Sequence, residues 1–248
     1  MSKIRADVVI FDQGNTLILD PFLSVLSKIT TSIATLLKAY KLSISSDKLT
    51  TAWKKANKTI SYPHISHFLQ EEPIVLAALE NLHVPAPKQY VLSLELLKLY
   101  REALKEHIAN NPENQKIRTI LEALKQQGKR LGIFSDDRAV NLKTNMELMG
   151  INQYFDYVKS SEELDVEKPA KSVFENIQQA FIVPANRIVH IGDNPKLDIE
   201  AAKSCGFRAI WYKQRNAYQE TWRDYTATIS VKPDAIISEL SEVLEVIQ

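Results

Sequence analysis

The 248-residue chain is short of three things. It has one cysteine, Cys205, so an intrachain disulfide is excluded and the chain suits a reducing compartment, with the cytoplasm as the expected location. It has no charge surplus: 31 basic and 30 acidic residues leave a net charge of +1, which argues against binding nucleic acid through a broad basic face. It also has only 6 glycines, where average usage is about 7%. None of these lies between Gly14 and Gly128, so that stretch must be built with little backbone at positive φ, and a hairpin-rich all-β first half is excluded. Long apolar runs are missing too. Val8 to Phe11 is bounded by Asp7 and Asp12, too short for a signal-peptide core, and no run approaches the ~18 residues of a membrane span.

What is present is a repeated alternation. Short β-branched and aromatic runs at Asp7–Phe11, Arg130–Phe134, Arg187–Ile191, Phe207–Tyr212 and Asp234–Ile237 read as buried parallel strands. Helical spacing lies between them: Ile117 to Leu124 before Gly128, Val140 to Leu148 before Gly150, and Val173 to Phe181 before Pro184, with a last helix over Ser238–Ile247. The pattern predicts an α/β protein with a doubly wound, Rossmann-like parallel sheet. The first two strands are separated by far more than the roughly 30 residues of a βαβ unit. Apolar residues recur at helical spacing there, from Phe22 to Tyr40, Leu49 to Ile60, Val75 to Leu82 and Val91 to Leu104. Residues 19–108 are therefore expected to form a helical insert of about four helices, and residues 1–18 with 109–248 the core.

Ligands of open α/β sheets bind beyond the carboxyl ends of the strands, so the polar residues ending each run are the candidates. These are Asp12-Gln13-Gly14-Asn15-Thr16, Ser135-Asp136-Asp137 and Gly192-Asp193-Asn194, with Lys168-Pro169 opening a later helix. Two strand-end acids suit a divalent metal, which takes oxygen ligands. A lysine and a hydroxyl suit phosphate oxygens, and an ionised aspartate suits nucleophilic attack. The residue chemistry points to phosphoryl transfer.

These segments, in order, resemble the four motifs of the haloacid dehalogenase superfamily of Asp-nucleophile hydrolases. Phe11 to Leu17 is similar to the first (Asp-x-Asp-Gly-Thr-Leu), Ile133-Phe134-Ser135 to the second, Lys168-Pro169 to the third and His190 to Asp198 to the fourth, with the insert where the family places its helical type 1 cap. The resemblance implies Asp12 as nucleophile, with Ser135 and Lys168 as catalytic residues holding the transferring group and Thr16 supporting the Asp12 loop. It implies Mg²⁺ on Asp12, Asp193 and the carbonyl of Gly14, with Asp198 supporting that loop and Asp136 beside the substrate. A small phosphorylated metabolite is the expected partner, with no nucleic acid and no membrane.

One position departs from the pattern. Phosphatases of this family carry a second aspartate where this chain has Gly14; it protonates the leaving oxygen and then activates water. General acid–base help is worth about 10²–10⁴-fold, so its loss slows alkyl phosphate hydrolysis without removing metal or phosphate binding. Three readings stay open: a phosphatase that needs no such acid or borrows one from the insert, Asp136 or Asp137; a dehalogenase- or phosphonatase-type hydrolase; or an impaired relative that binds a phosphorylated ligand or a partner. The dehalogenase pattern has Asp-x-Tyr and Ser-Asn at the first two motifs, and phosphonatases need an insert lysine, for which Lys54 and Lys55 read instead as a solvated helix face. Asp137 is expected to cap the following helix, His190 to be packed, and His64 and His67 to be exposed turn residues.

Overall fold

The computed structural model describes residues 3–19, 22–59, 64, 66, 70–213 and 230–248. Six parallel strands form one sheet: β1 (Val8–Phe11), β2 (Arg130–Ser135), β3 (Tyr157–Ser160), β4 (Ile188–Gly192), β5 (Arg208–Tyr212) and β6 (Ala235–Ile237), in the order β3-β2-β1-β4-β5-β6. The central strand β1 is buried along its whole length and pairs with β2 on one side and β4 on the other, Val9 lying opposite Leu131 and Val189. Alternate residues serve opposite faces. Val9, Phe11, Leu131, Ile133, Val189 and Ile191 pack with helices α6 (Glu113–Gln126) and α7 (Ala139–Met149). Val8, Ile10, Phe134 and Ile188 pack with α9 (Lys171–Phe181), which follows the short α8 (Ser161–Leu164), and with α10 (Ala201–Ser204). Both faces are thus covered, as the apolar runs required, and the order reverses direction between β1 and β4.

Among the described residues, five helices precede α6 in the long connection from β1 to β2: α1 (Phe22–Lys28), α2 (Thr30–Ala39), α3 (Ser46–Asn57), α4 (Glu71–Asn81) and α5 (Ala86–Ala109). They bury a cluster of their own, in which the rings of Phe22, Trp53 and Tyr100 stack within 5.6–6.1 Å of each other. Every buried residue of that cluster falls between Phe22 and Tyr100, while Leu17, Ile18 and Ile108 belong to the sheet's cluster.

Three readings of the sequence change in detail. The apolar period from Phe22 to Tyr40 spans two helices, bent by 61° at Ile29. No proline or glycine causes the break; the hydroxyls of Ser27 and Thr30 take up the carbonyls of Ser24, Leu26 and Ser27, competing with the helix ladder. Strand β3 escaped the reading because it is a four-residue edge whose Lys159 interrupts the apolar pattern. The last helix is short: a 3-10 turn at Leu240–Glu242 leads into α11 (Val243–Val246), because the Glu242 carboxylate accepts from the Ser238 and Glu239 backbone and fixes a turn there. Among the described residues no single helix is long and apolar enough to cross a membrane; only the bent pair α1 and α2 reaches that length jointly.

Candidate active site

The carboxyl ends of β1, β2 and β4 converge where the strand order reverses. Asp12 leaves β1 with its N–H on the carbonyl of Ile191 in β4, 2.9 Å away. The loop then closes on itself: Thr16, Leu17 and Ile18 all donate to the Gln13 carbonyl, and Thr16 Oγ1 reaches Asp12 Oδ2 at 3.3 Å. Asn15 makes this turn at φ 56°, a left-handed conformation that asparagine tolerates better than most residues. Gln13 turns away, its amide facing Leu142 and Asn145 of α7. Gly14 is exposed, and a side chain added there would meet nothing within 4 Å.

Lys168 enters from the loop before α9 and is the most buried cation of the site, 2% exposed. Its Nζ lies 2.7 Å from Asp12 Oδ1, 2.6 Å from Asp198 Oδ1 and 3.7 Å from Asp136 Oδ2. Burial opposes its charge, yet the three carboxylates hold the lysine well above its usual range. The two nearest acids respond differently. Burial pushes Asp12 up despite Lys168. Asp198 also feels burial, but Lys168 and the His190 hydrogen bond hold it well below the carboxylate range. Three further donations explain the contrast: Lys168 and His190 Nε2 meet Asp198 Oδ1, the latter at 3.0 Å, and the Asn194 N–H meets Oδ2 at 2.9 Å. Asp198 is thus the fixed anion of the site, and Asp12 the adjustable one.

Asp198 gets this close because of Gly192. A Cβ at Gly192 would lie 2.2 Å from Asp198 Cγ, so no other residue fits beneath that carboxylate. Gly192→Ala is expected to cost about 1–3 kcal/mol, the scale of overpacking a filled site. Denaturant unfolding measures this, and an unchanged midpoint would refute the close approach. Asn194 caps the π-helical turn Pro195–Glu200 by accepting from Lys196 and Leu197, which fixes Asp193 ahead of it. The Asp193 carbonyl also accepts from Trp211 Nε1 at 2.8 Å. Ligand oxygens of Asp12, Asp193 and Asp198 come within 4.8 Å of one another.

Ser135 ends β2, buried, and Asp136 follows it, its Oδ1 accepting from the Lys168 backbone N–H at 3.0 Å. Asp137 is not the cap of α7; Arg138 occupies that place, and the Asp137 carboxylate instead accepts from Arg138 N and Asn141 Nδ2 at 2.7 and 2.9 Å. Burial pushes Asp137 up to about 6. His190 is fully buried, packed edge-on against Phe174, but it also binds Asp198. His64 is not an exposed turn residue: its N–H and its Nδ1, at 2.5 Å, both meet the buried Glu167 carboxylate beside Lys168. His67 lies outside the described residues. Lys55 and Lys58 are exposed on or beside α3, with Lys54 half-buried.

The structure therefore brings together Asp12, Thr16, Ser135, Asp136, Lys168, Asp193 and Asp198 from four separate segments. Sequence reasoning missed the parts of Glu167, Asn194 and His190. A histidine eight residues before an acid in a strand–turn unit was a usable signal for the last of these.

Residues 29–212 match the model of the haloacid dehalogenase-like hydrolase family; the match begins beyond Asp12. Among curated proteins, the chain is 28% identical over 131 residues to a glyceraldehyde 3-phosphate phosphatase of Pyrococcus furiosus, covering 53% of this chain and 52% of that one. It is 26% identical over 152 residues to (S)-2-haloacid dehalogenase 2 of a Pseudomonas species, covering 61% and 62%. The matched stretch thus spans between half and two thirds of these relatives. A crystal structure of the HAD-hydrolase YfnB of Bacillus subtilis, described as bound to magnesium, shares the fold with a TM-score of 0.65 at 19% identity, covering 97% of this chain and 98% of that one.

Proposed function

The chain belongs to the haloacid dehalogenase-like hydrolases, and from that membership we propose that it is a divalent-cation-dependent phosphatase of small phosphate monoesters, acting through an aspartyl-phosphate on Asp12. One observation carries the reading: carboxylate oxygens of Asp12, Asp193 and Asp198 lie within 4.8 Å of one another, and a single buried lysine answers Asp12 and Asp198. Even with Lys168 charged, that leaves an excess of negative charge where a phosphate dianion has to enter. A hard cation fits, because the donor set is all oxygen. Asp12, Asp193 and the Gly14 carbonyl would hold Mg²⁺, since both oxygens of Asp198 are already engaged. When bound, the ion neutralises phosphate oxygens and keeps Asp12 ionised.

The protein's own groups do the rest. Asp12 attacks phosphorus while Thr16 steadies its second oxygen. Lys168 and the Ser135 hydroxyl bind the transferring oxygens. Residues 19–108 form a cap whose His64 touches the core beside Lys168, excluding water during attack. The substrate is a small phosphorylated metabolite resembling those of the phosphatase relatives, and the lone Cys205 is consistent with a reducing cytoplasm.

A dehalogenase reading is favoured by one observation, Gly14, since displacing halide from carbon needs no acid. It leaves the Asp12–Asp193 pair without a task, and so it ranks second. The deciding assay offers p-nitrophenyl phosphate with Mg²⁺ beside 2-chloropropionate. Phosphate release is expected, lost on chelation and restored by Mg²⁺, together with a Mg²⁺-dependent rise in melting temperature. Chloride release without phosphate release, or activity indifferent to chelation, would overturn the proposal.

A further inference from the structure

A phosphatase with glycine at position 14 needs an acid from elsewhere to act on alkyl esters, and the fold holds a carboxyl placed for it. We propose that Asp136 is a further catalytic residue, the general acid and base that position 14 lacks; the inference rests on the phosphatase reading above.

Among the described residues, three carboxylates border the site without belonging to the metal group, and two have other partners. Asp137 turns to Arg138 and Asn141 of α7. Glu167 is taken by His64 on both oxygens. Asp136 alone of the three faces Lys168. Its Oδ1 is fixed by the Lys168 N–H, and its Oδ2 stands 3.7 Å from the ammonium that holds Asp12 Oδ1 at 2.7 Å. One Nζ thus lies between the nucleophile and the second carboxyl, on the same side of the site. The loop position is also apt, since Asp136 directly follows Ser135. The charged groups facing it are Lys168, Asp12 and Asp198: burial, with the two acids, pushes Asp136 up to about 7 against the pull of Lys168. A carboxyl poised near neutrality both gives and takes a proton at working pH.

The proton balance is simple. As the bond from Asp12 to phosphorus forms and the bond to the leaving oxygen breaks, the Asp136 proton passes to that oxygen and a neutral alcohol departs. The Asp136 carboxylate then takes a proton from water as the water oxygen bonds to phosphorus and the Asp12–phosphorus bond breaks. Phosphate leaves, and both aspartates return to their starting states.

The test compares kcat/KM for p-nitrophenyl phosphate, whose leaving group needs no proton, with that for glycerol 2-phosphate, whose leaving group does. Asp136→Asn keeps an oxygen for the Lys168 N–H, so a merely structural role survives it. The expected result is a fall in kcat/KM of about 10²–10⁴-fold for the alkyl ester and a far smaller fall for the aryl ester, with loss of the alkaline fall in the alkyl pH profile. Gly14→Asp, which the open space at Gly14 permits, is then expected to restore alkyl hydrolysis in the double variant. An equal fall for both esters, no fall, or no rescue in a folded double variant overturns the assignment of Asp136 alone. Absence of aryl phosphate turnover in the unaltered protein with Mg²⁺ overturns the phosphatase reading as well.

Discussion

Asp12→Asn is expected to remove phosphate-ester hydrolysis, with kcat falling on the order of 10⁶-fold, the scale of deleting a covalent nucleophile. The amide has the same shape, so the reason is chemical: an amide oxygen does not form the phosphoryl bond. The fold is expected to survive. Burial disfavours the Asp12 charge already, and Lys168 keeps Asp198 as a partner at 2.6 Å. Two measurements belong together here. Acid-quenched phosphoenzyme should be trapped from the unaltered protein and be missing in the variant, and the melting temperature should stay within a few degrees. Hydrolysis retained above one part in a hundred would remove Asp12 from its role.

Lys168→Met has the largest expected effect on stability. A fully buried ammonium answers Asp12, Asp198 and Asp136 at once, and methionine fills its volume while leaving those carboxylates without a counter-charge. Breaking a buried pair from one side costs about 3–5 kcal/mol. The loss carries a pH signature. Asp198 is held below its unfolded value, so its contribution is complete above about pH 4 and fades as the pH falls through its folded value. The part of the deficit carried by Asp198 should therefore be the same at pH 7 as at pH 4 and shrink only below about pH 4, as that carboxylate takes up its proton. Urea unfolding at pH 7 and at about pH 2 reads both quantities. Activity should fall by at least about 10²–10³-fold, as when a preorganised donor to developing charge is lost. A variant within 1 kcal/mol of the unaltered protein at pH 7 would contradict the buried triad.

Much of the architecture was legible because it is locally encoded. Continuous apolar runs such as Val8 to Phe11 have one reading when bounded by acids, and a helical period without glycine has one reading between residues 22 and 104. Strand β3 was not legible, since a short edge containing Lys159 lacks the burial that creates a pattern. The bend at Ile29 was equally silent: apolar spacing continues through it, and the hydroxyls that cause it signal nothing until they are seen on their carbonyls. Asp137 misled for a related reason, because an aspartate one residue ahead of a helix cap has the same neighbours in sequence as the cap itself.

By itself the sequence determined which residues are candidates for the chemistry, since Asp12, Ser135, Lys168 and Asp193 each stand where a strand or helix period stops, and it also determined that Gly14 brings no acid. Only the tertiary structure decided how those residues are arranged. That Lys168 is shared between Asp12 and Asp198, that Gly192 clears the space for Asp198, and that Asp136 rather than Asp137 faces the lysine are contacts between residues up to 156 positions apart. Periodicity acts over a few residues and sets each element. The pairing of charges depends on which strand ends meet, and that is set by the packing of the whole sheet.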